Sequence, residues 1–112
     1  MKKQYNQLPQ VAFSILLTLG QTPRHGYDIM KQVSFDSSGK VKLGPGALYA
    51  SIKQLHEQQL IEEVDNQSDN RRRYYRITNK GRLALDAELE YYQNSLKLAR
   101  QRSLLTVETQ SV

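Results

Sequence analysis

From Asn79 to about Arg102 the chain runs without a proline and is filled with Leu, Ala, Glu, Lys and Arg, all strong helix formers. Thr78, just ahead of this run, is a suitable N-cap. A helix of that length spans roughly 36 Å at about 1.5 Å per residue, more than a domain of this size needs to line its own core. Leu85, Leu89, Tyr92, Leu96 and Ala99 recur along it at intervals of 4, 3, 4 and 3, the a/d spacing of a helix seam. Such a helix could pack wholly on its own domain. Its excess length and its seam favour self-association, and so does the total of 112 residues, because a small chain leaves much of its surface exposed and gains from a second subunit.

The segments before this helix are short. Pro9 suits a first helical turn, Ala12, Ile15, Leu16 and Leu19 follow at helical spacing, and Gly20 is placed to end a first helix over Leu8 to Leu19. It is apolar around most of its circumference, as core helices are, and Phe13 is also available to a dimer or ligand face. Gln21 to Arg24 reads as a loop, and Gly26 to Val33 as a second helix with Tyr27, Ile29, Met30 and Val33 on its apolar face. After Ser37-Ser38-Gly39 and a brief alternation at Lys40-Val41-Lys42-Leu43, Gly44-Pro45-Gly46 opens a third helix from about Ala47 to Gln58. Its stripe Leu48, Ile52, Leu55 anchors it, leaving Tyr49, Ala50, Lys53 and Gln54 on the free side. Strands are predicted at Leu60 to Val64 and Arg72 to Thr78, joined through Asp65 to Asn70, which is rich in turn-forming Asp, Asn and Ser. In the second strand Arg73, Tyr75 and Ile77 share one face, and Arg72, Tyr74 and Arg76 the other.

Charge narrows the partner. Sixteen Lys and Arg against eleven Asp and Glu give a net charge of +5, which favours a polyanion, nucleic acid ahead of an anionic membrane. Arg71, Arg72, Arg73, Arg76, Lys80 and Arg82 put six cations within twelve positions without one acid. This is phosphate-binding composition, and arginine suits it because the planar guanidinium donates bidentately. Glu57, Glu62, Glu63, Asp65 and Asp69 crowd the first strand and its flanks, and are expected to stay solvated off a nucleic acid.

Zero cysteines exclude disulfides, thiolate metal sites and cysteine nucleophiles. His25 and His56 have no carboxylate–histidine spacing around them and are read as surface or packing residues, so no metal or other cofactor is expected. Ser34, His25 and Asp28 would scatter around one helix, Gly44-Pro45-Gly46 lacks the Gly-Lys-Ser/Thr ending of a phosphate loop, and no enzyme activity is expected. Met1-Lys2-Lys3 ahead of Val11 to Gly20 looks superficially like a secretory leader. Pro9, the polar Gln4 to Gln7 spacer and the missing small-x-small cleavage pattern argue against it, and the apolar run is too short to span a bilayer. The expected location is the cytoplasm, with no membrane partner.

Helix, helix, helix, basic hairpin, helix is the order of a winged helix-turn-helix, a mainly α fold with a small β-hairpin (α+β), here extended by a long C-terminal dimerisation helix. In that fold the third helix enters the major groove and the wing reaches phosphates or the minor groove. Small Gly46 and Ala50 let the third helix approach the duplex, and its first backbone N–H groups can meet a phosphate. Residues 1–78 are expected to form the DNA-binding unit, 79–105 the dimerisation helix packed with the first helix, and 106–112 a disordered tail.

His25-Gly26-Tyr27-Asp28-Ile29, Leu43 to Tyr49 with Leu55, and Arg72-Arg73-Tyr74-Tyr75-Arg76-Ile77-Thr78-Asn79-Lys80-Gly81 together resemble the PadR family of transcriptional regulators, over roughly residues 8–100. The resemblance is to the short type with a single C-terminal helix. It implies a homodimer joined through its first and last helices that represses genes at pseudo-palindromic operators of double-stranded DNA. It places Tyr49 and Lys53 at the DNA backbone and groove, and Arg71, Arg72 and Arg73 on the wing. With Lys42, Gly46, Ala50 and Gln54 these complete the expected DNA surface. Phe13, Leu16, Leu85, Leu89, Tyr92, Leu96 and Ala99 form the expected dimer interface. In drug-sensing relatives an aromatic on the last helix faces a cavity between subunits. The matching position here is Tyr92, with Phe13 and Leu16 opposite, which implies a small aromatic or hydrophobic effector; Tyr is smaller and more polar than the Trp found there. Further departures are Ala47 in place of Thr or Ser, Ala50 in place of Pro, and Gln59 where Gly commonly caps the third helix.

Two other readings stay open on sequence grounds. The chain could be a protein-interaction module without sequence-specific DNA binding, since winged helices also dock proteins. It could also bind single strands or RNA by stacking bases on Tyr74 and Tyr75.

Overall fold

The structure is a computed structural model, and it describes residues 7–65 and 72–105. Arg71, most of the expected hairpin turn and the tail over 106–112 lie outside the described residues. The elements are α1 (Gln10–Leu19), β1 (Arg24–His25), α2 (Gly26–Asp36), α3 (Pro45–Glu57), β2 (Ile61–Val64), β3 (Tyr74–Ile77) and α4 (Asn79–Gln101). This is the expected winged helix-turn-helix with a long last helix. Among the described residues no helix is long and apolar enough to cross a membrane.

The apolar helix α1 runs through the middle and touches α2, α3, α4 and β3. Ile15, Leu16 and Leu19 are at most 1% exposed, and buried Thr18 satisfies its hydroxyl by donating to the Ile15 carbonyl at 2.8 Å. Ile29 and Val33 from α2, Leu48, Ile52 and Leu55 from α3, and Leu60, Ile61, Tyr75 and Leu85 complete one core. The predicted stripe of α3 is therefore its buried face. On α2 only part of the expected apolar face is inside. Tyr27 turns to solvent, where the Lys31 ammonium lies 5.3 Å from its ring centroid.

Three strands form the sheet, in the order β1-β3-β2 and antiparallel throughout. The hairpin pairs Ile61 with Ile77 and Glu63 with Tyr75, and β1 pairs Arg24 with Tyr75 and His25 with Tyr74. Strand β1 corrects the reading of Arg24 as loop. The Arg24 side chain ties the end of α1 to the start of α2, donating to the Thr18 carbonyl at 2.8 Å and to the Asp28 carboxylate at 3.0 Å. The Lys40 to Leu43 alternation forms no strand.

Helix α3 ends with Gln59 at φ 65°, a left-handed residue, while the Gln59 and Leu60 amides donate back to the His56 and Leu55 carbonyls at 2.9 Å. This is the two-bond cap in which glycine is the usual residue, so glutamine holds it at a steric cost. Beyond it, the Thr78 hydroxyl accepts from the Gly81 amide at 3.0 Å, making Thr78 the N-cap of α4 as expected, and donates to the Gln59 carbonyl at 2.7 Å. The first turn of α4 therefore lies tight against the chain leaving α3. A Cβ placed on Gly81 would fall on the Leu60 carbonyl, which is backbone and cannot step aside. Gly81→Ala is expected to cost about 2 kcal/mol, read as a lower urea midpoint at an unchanged denaturant slope.

Candidate nucleic-acid interface

The free side of α3 is as the spacing predicts. Gly46, Ala47, Tyr49, Ala50, Lys53 and Gln54 are all exposed, and so is Lys42 ahead of the helix. No heavy atom lies within 4 Å of where a Gly46 Cβ would stand, so nothing inside the protomer requires glycine there. The small side chains at Gly46 and Ala50 leave the helix backbone open to an approaching partner.

Two clefts flank Tyr49. One, of about 460 Å³, lies between the start of α2 and the chain entering β3, bordered by His25, Gly26, Tyr49, Arg72 and Arg73. The other, of about 340 Å³, runs along α3 and includes Tyr49, Lys53, His56 and Arg73. Tyr49 and Arg73 belong to both, so α3 and the wing form one surface. Gly26 sets the position of Tyr49, because a Cβ there would collide with the phenol oxygen. Arg71 lies outside the described residues.

The acidic strand does more than stay solvated. The Glu62 carboxylate pairs with Arg76 at 2.7 Å across the hairpin, and Glu63 lies 3.9 Å from the Arg73 guanidinium. These pairs are exposed and contribute little to stability, but they reduce the cationic surplus of the wing, whose Arg72 and Arg73 both border the α2 cleft. Burial, together with the Glu63 charge, pushes the Tyr75 phenol above its usual range, against the opposing pull of Arg73. Tyr75 is only 5% exposed, so it offers no platform for a base. Tyr74 is half-buried and packs edge-on against His25, with ring centroids 5.2 Å apart.

Sequence reasoning left His25 as a surface or packing residue, and the structure gives it more to do. Its Nδ1 accepts from the Asp28 amide at 3.3 Å, capping α2, and its Nε2 lies 3.0 Å from Arg72 Nη1. The signal in the sequence was its position directly before Gly26 at a helix start. His56 is exposed on α3.

The residues expected at the dimer face divide into two groups. Leu16 and Leu85 are 0% and 3% exposed and belong to the protomer's own core, because α1 and the start of α4 pack against the same layer. Leu89 and Ala99 are half-buried, while Tyr92 and Leu96 are 38% and 46% exposed. Phe13 meets Tyr92 edge-on at 5.4 Å within one chain, and Tyr91 adds a second edge contact at 5.7 Å. From Glu90 to Leu98 every residue of α4 is exposed. Beside this stretch lies Glu88, which no sequence pattern singles out; it is 0% exposed and accepts from the Leu8 amide at 3.1 Å. Desolvation first, and the hydrogen bond and charge of Glu88 next, push the Tyr92 phenol above its usual range.

Known proteins are similar to this chain in sequence and in fold. An uncharacterized protein X from Lysinibacillus sphaericus is 30% identical over 73 residues, which make up 63% of this chain and 67% of that protein. A PadR family transcription regulator from hypervirulent Clostridium difficile superposes with a TM-score of 0.70 at 25% identity, covering 83% of this chain and 97% of its own. A transcriptional regulator from Clostridium thermocellum, 24% identical, shares the fold with a TM-score of 0.67 over 81% of this chain and 87% of its own. The model of the transcriptional regulator PadR-like family matches residues 15–87, from the core of α1 into α4, and the chain belongs to that family.

Proposed function

We propose that this transcription regulator is a homodimeric, sequence-specific DNA-binding repressor. Residues 1–78 serve as the winged helix-turn-helix unit, and residues 79–105 as the dimerisation helix packed with α1. The observation that carries the reading is the continuous surface around Tyr49, in which the free side of α3 and the wing arginines Arg72 and Arg73 border the same clefts. Helix α3 lies in the major groove with Tyr49, Ala50, Lys53 and Gln54 toward the bases and backbone. Arg71, Arg72 and Arg73 take phosphates, and Lys42 and Gly46 flank the point of approach. Phosphate contacts fix register and orientation, and the few contacts from α3 select the sequence.

The outer half of α4 supports dimerisation, since Tyr92 and Leu96 are exposed and Ala99, Leu89 and Phe13 beside them are only half-buried within the protomer. The Phe13–Tyr92 ring pair is where a small aromatic or hydrophobic effector would meet the interface and relieve repression. Leu16 is sealed beneath the protomer surface and contributes packing there. The regulator works in the cytoplasm on double-stranded DNA, without a cofactor.

Selection tests this reading. Genomic fragments retained by the immobilised chain are expected to converge on one recurring two-fold-symmetric sequence. A retained pool no more symmetric or recurrent than the input would leave a protein-interaction module as the better description.

A further inference from the structure

The polar residues beside the α4 seam follow an order of charge. Asp86, Glu90, Gln93, Lys97 and Arg100 each stand one place after a seam position and repeat its intervals of 4, 3, 4 and 3, so they form a stripe alongside it. All five are exposed. From the start of the helix to its end the stripe reads acid, acid, amide, base, base, and its charges cancel. Within one helix this order sets like charges a turn apart, Asp86 by Glu90 and Lys97 by Arg100, which weakens an isolated helix. Asp86 also accepts from Arg82, one turn earlier, at 3.2 Å in an exposed pair.

Turned end for end about Gln93, the stripe becomes its own complement. Asp86 then faces Arg100, Glu90 faces Lys97, and Gln93 faces Gln93, whose amide both donates and accepts. The apolar seam reverses about nearly the same point, with Leu89 opposite Leu96 and Tyr92 opposite Tyr92. Two helices laid parallel and in register do the opposite, placing Asp86 on Asp86 and Lys97 on Lys97. The surface is open to a partner, since every residue from Glu90 to Leu98 is exposed. Spacing along the chain agrees. Helix α4 begins at Asn79, directly after the wing. In an antiparallel pair centred on Gln93 the two starts lie roughly 42 Å apart along the axis at about 1.5 Å per residue, on the scale of two major grooves about 34 Å apart. A parallel pair would crowd both winged units at one end, about 10 Å apart.

We infer that two copies of this chain pair antiparallel through α4, centred on Gln93, and that Asp86 against Arg100 and Glu90 against Lys97 select the partner and its direction. This pairing rests on the homodimer reading above and adds its orientation and its polar code. Exposed ion pairs contribute little affinity. They act by excluding wrong pairings, because like charges opposed across an interface are costly. Leu89, Tyr92 and Leu96 supply the association, and the stripe supplies the choice of an identical chain running the other way.

The test reverses the stripe in the full chain, with Asp86→Lys, Glu90→Lys, Lys97→Glu and Arg100→Glu together. Net charge is unchanged, and the new residues are good helix formers. The reversed chain is expected to dimerise with itself, since its stripe is again self-complementary. Refolded with the parent in equal amounts, the two are expected to sort. Native mass spectrometry of tagged parent and untagged variant should show mixed dimers about tenfold below the half that random pairing gives, because four modest contacts turn from attraction to repulsion. Mixed dimers above one half would mean parallel pairing and would overturn the inference. A random share would place the stripe off the interface and overturn it as well.

Should the reversed chain fail to fold or to dimerise, the parent stripe is read directly. The sequence has no cysteine, so Leu83→Cys carries a single spin label, at a position 70% exposed in α4. Antiparallel pairing about Gln93 puts the two labels roughly 30 Å apart at about 1.5 Å per residue, and electron paramagnetic resonance measures that distance. A main distance elsewhere, the roughly 10 Å of a parallel pair included, overturns the pairing. Sedimentation of the parent separates the two readings. A parent that stays monomeric at every attainable concentration removes the homodimer and this pairing with it; a parental dimer with random mixing or a short label distance removes the antiparallel pairing alone.

Discussion

Replacing Arg72 and Arg73 together with alanine is expected to weaken binding to every duplex, operator or not, by about a hundredfold, and to reduce the slope of log affinity against log salt by nearly two units. Each phosphate contact releases counterions worth about 0.9 of that slope, and each charged hydrogen bond contributes roughly 1.5–3 kcal/mol. The loss is expected to be uniform across sequences because in the proposed docking these side chains meet the backbone, leaving base selection to α3. Removing Arg73 also leaves the Glu63 carboxylate, now 3.9 Å from it, unopposed beside the duplex. Both arginines are exposed, so the fold should change by no more than about 0.5 kcal/mol. Fluorescence anisotropy at several salt concentrations reads the effect. Equal affinity and equal slope in the two proteins would show that the wing does not touch DNA.

The second large effect is on assembly. In the proposed dimer, Leu89→Lys plus Leu96→Lys places four ammonium groups in a symmetric seam and removes four leucine side chains from it. At roughly 1.5 kcal/mol for each partly covered leucine the dimer weakens by about 6 kcal/mol, or about 10⁴-fold, before any cost of burying charge. Sedimentation should show monomers at micromolar concentration with helix content kept, since Leu96 is 46% exposed in the protomer and Leu89 lies at the edge of its core. A persistent dimer would mean that the subunits join elsewhere.

Periodicity made the helical part of the fold legible. The Leu48-Ile52-Leu55 stripe predicted both the buried and the free side of α3, and Thr78 with its proline-free sequel predicted the start of α4. Strand β1 was not legible, because two residues carry no alternation and its existence depends on β3 being there to pair with it. Gln59 stands where glycine commonly caps the third helix, and its positive φ is the physical content of that departure. Pairing across the hairpin was hidden for a different reason. Which glutamate meets which arginine depends on register, and register depends on a turn whose composition does not fix its length. The dual engagement of His25 was likewise beyond reach, since its two neighbours stand 3 and 47 positions away along the chain.

A hydroxyl-radical footprint on a selected genomic fragment examines groove docking and pairing of subunits in one experiment. Two copies that each insert α3 and grip the flanking backbone with the wing should protect two symmetric patches whose centres lie about 34 Å, one helical turn, apart or a multiple of it. A single asymmetric patch, or protection spread evenly along the fragment, would contradict a dimer reading two half-sites.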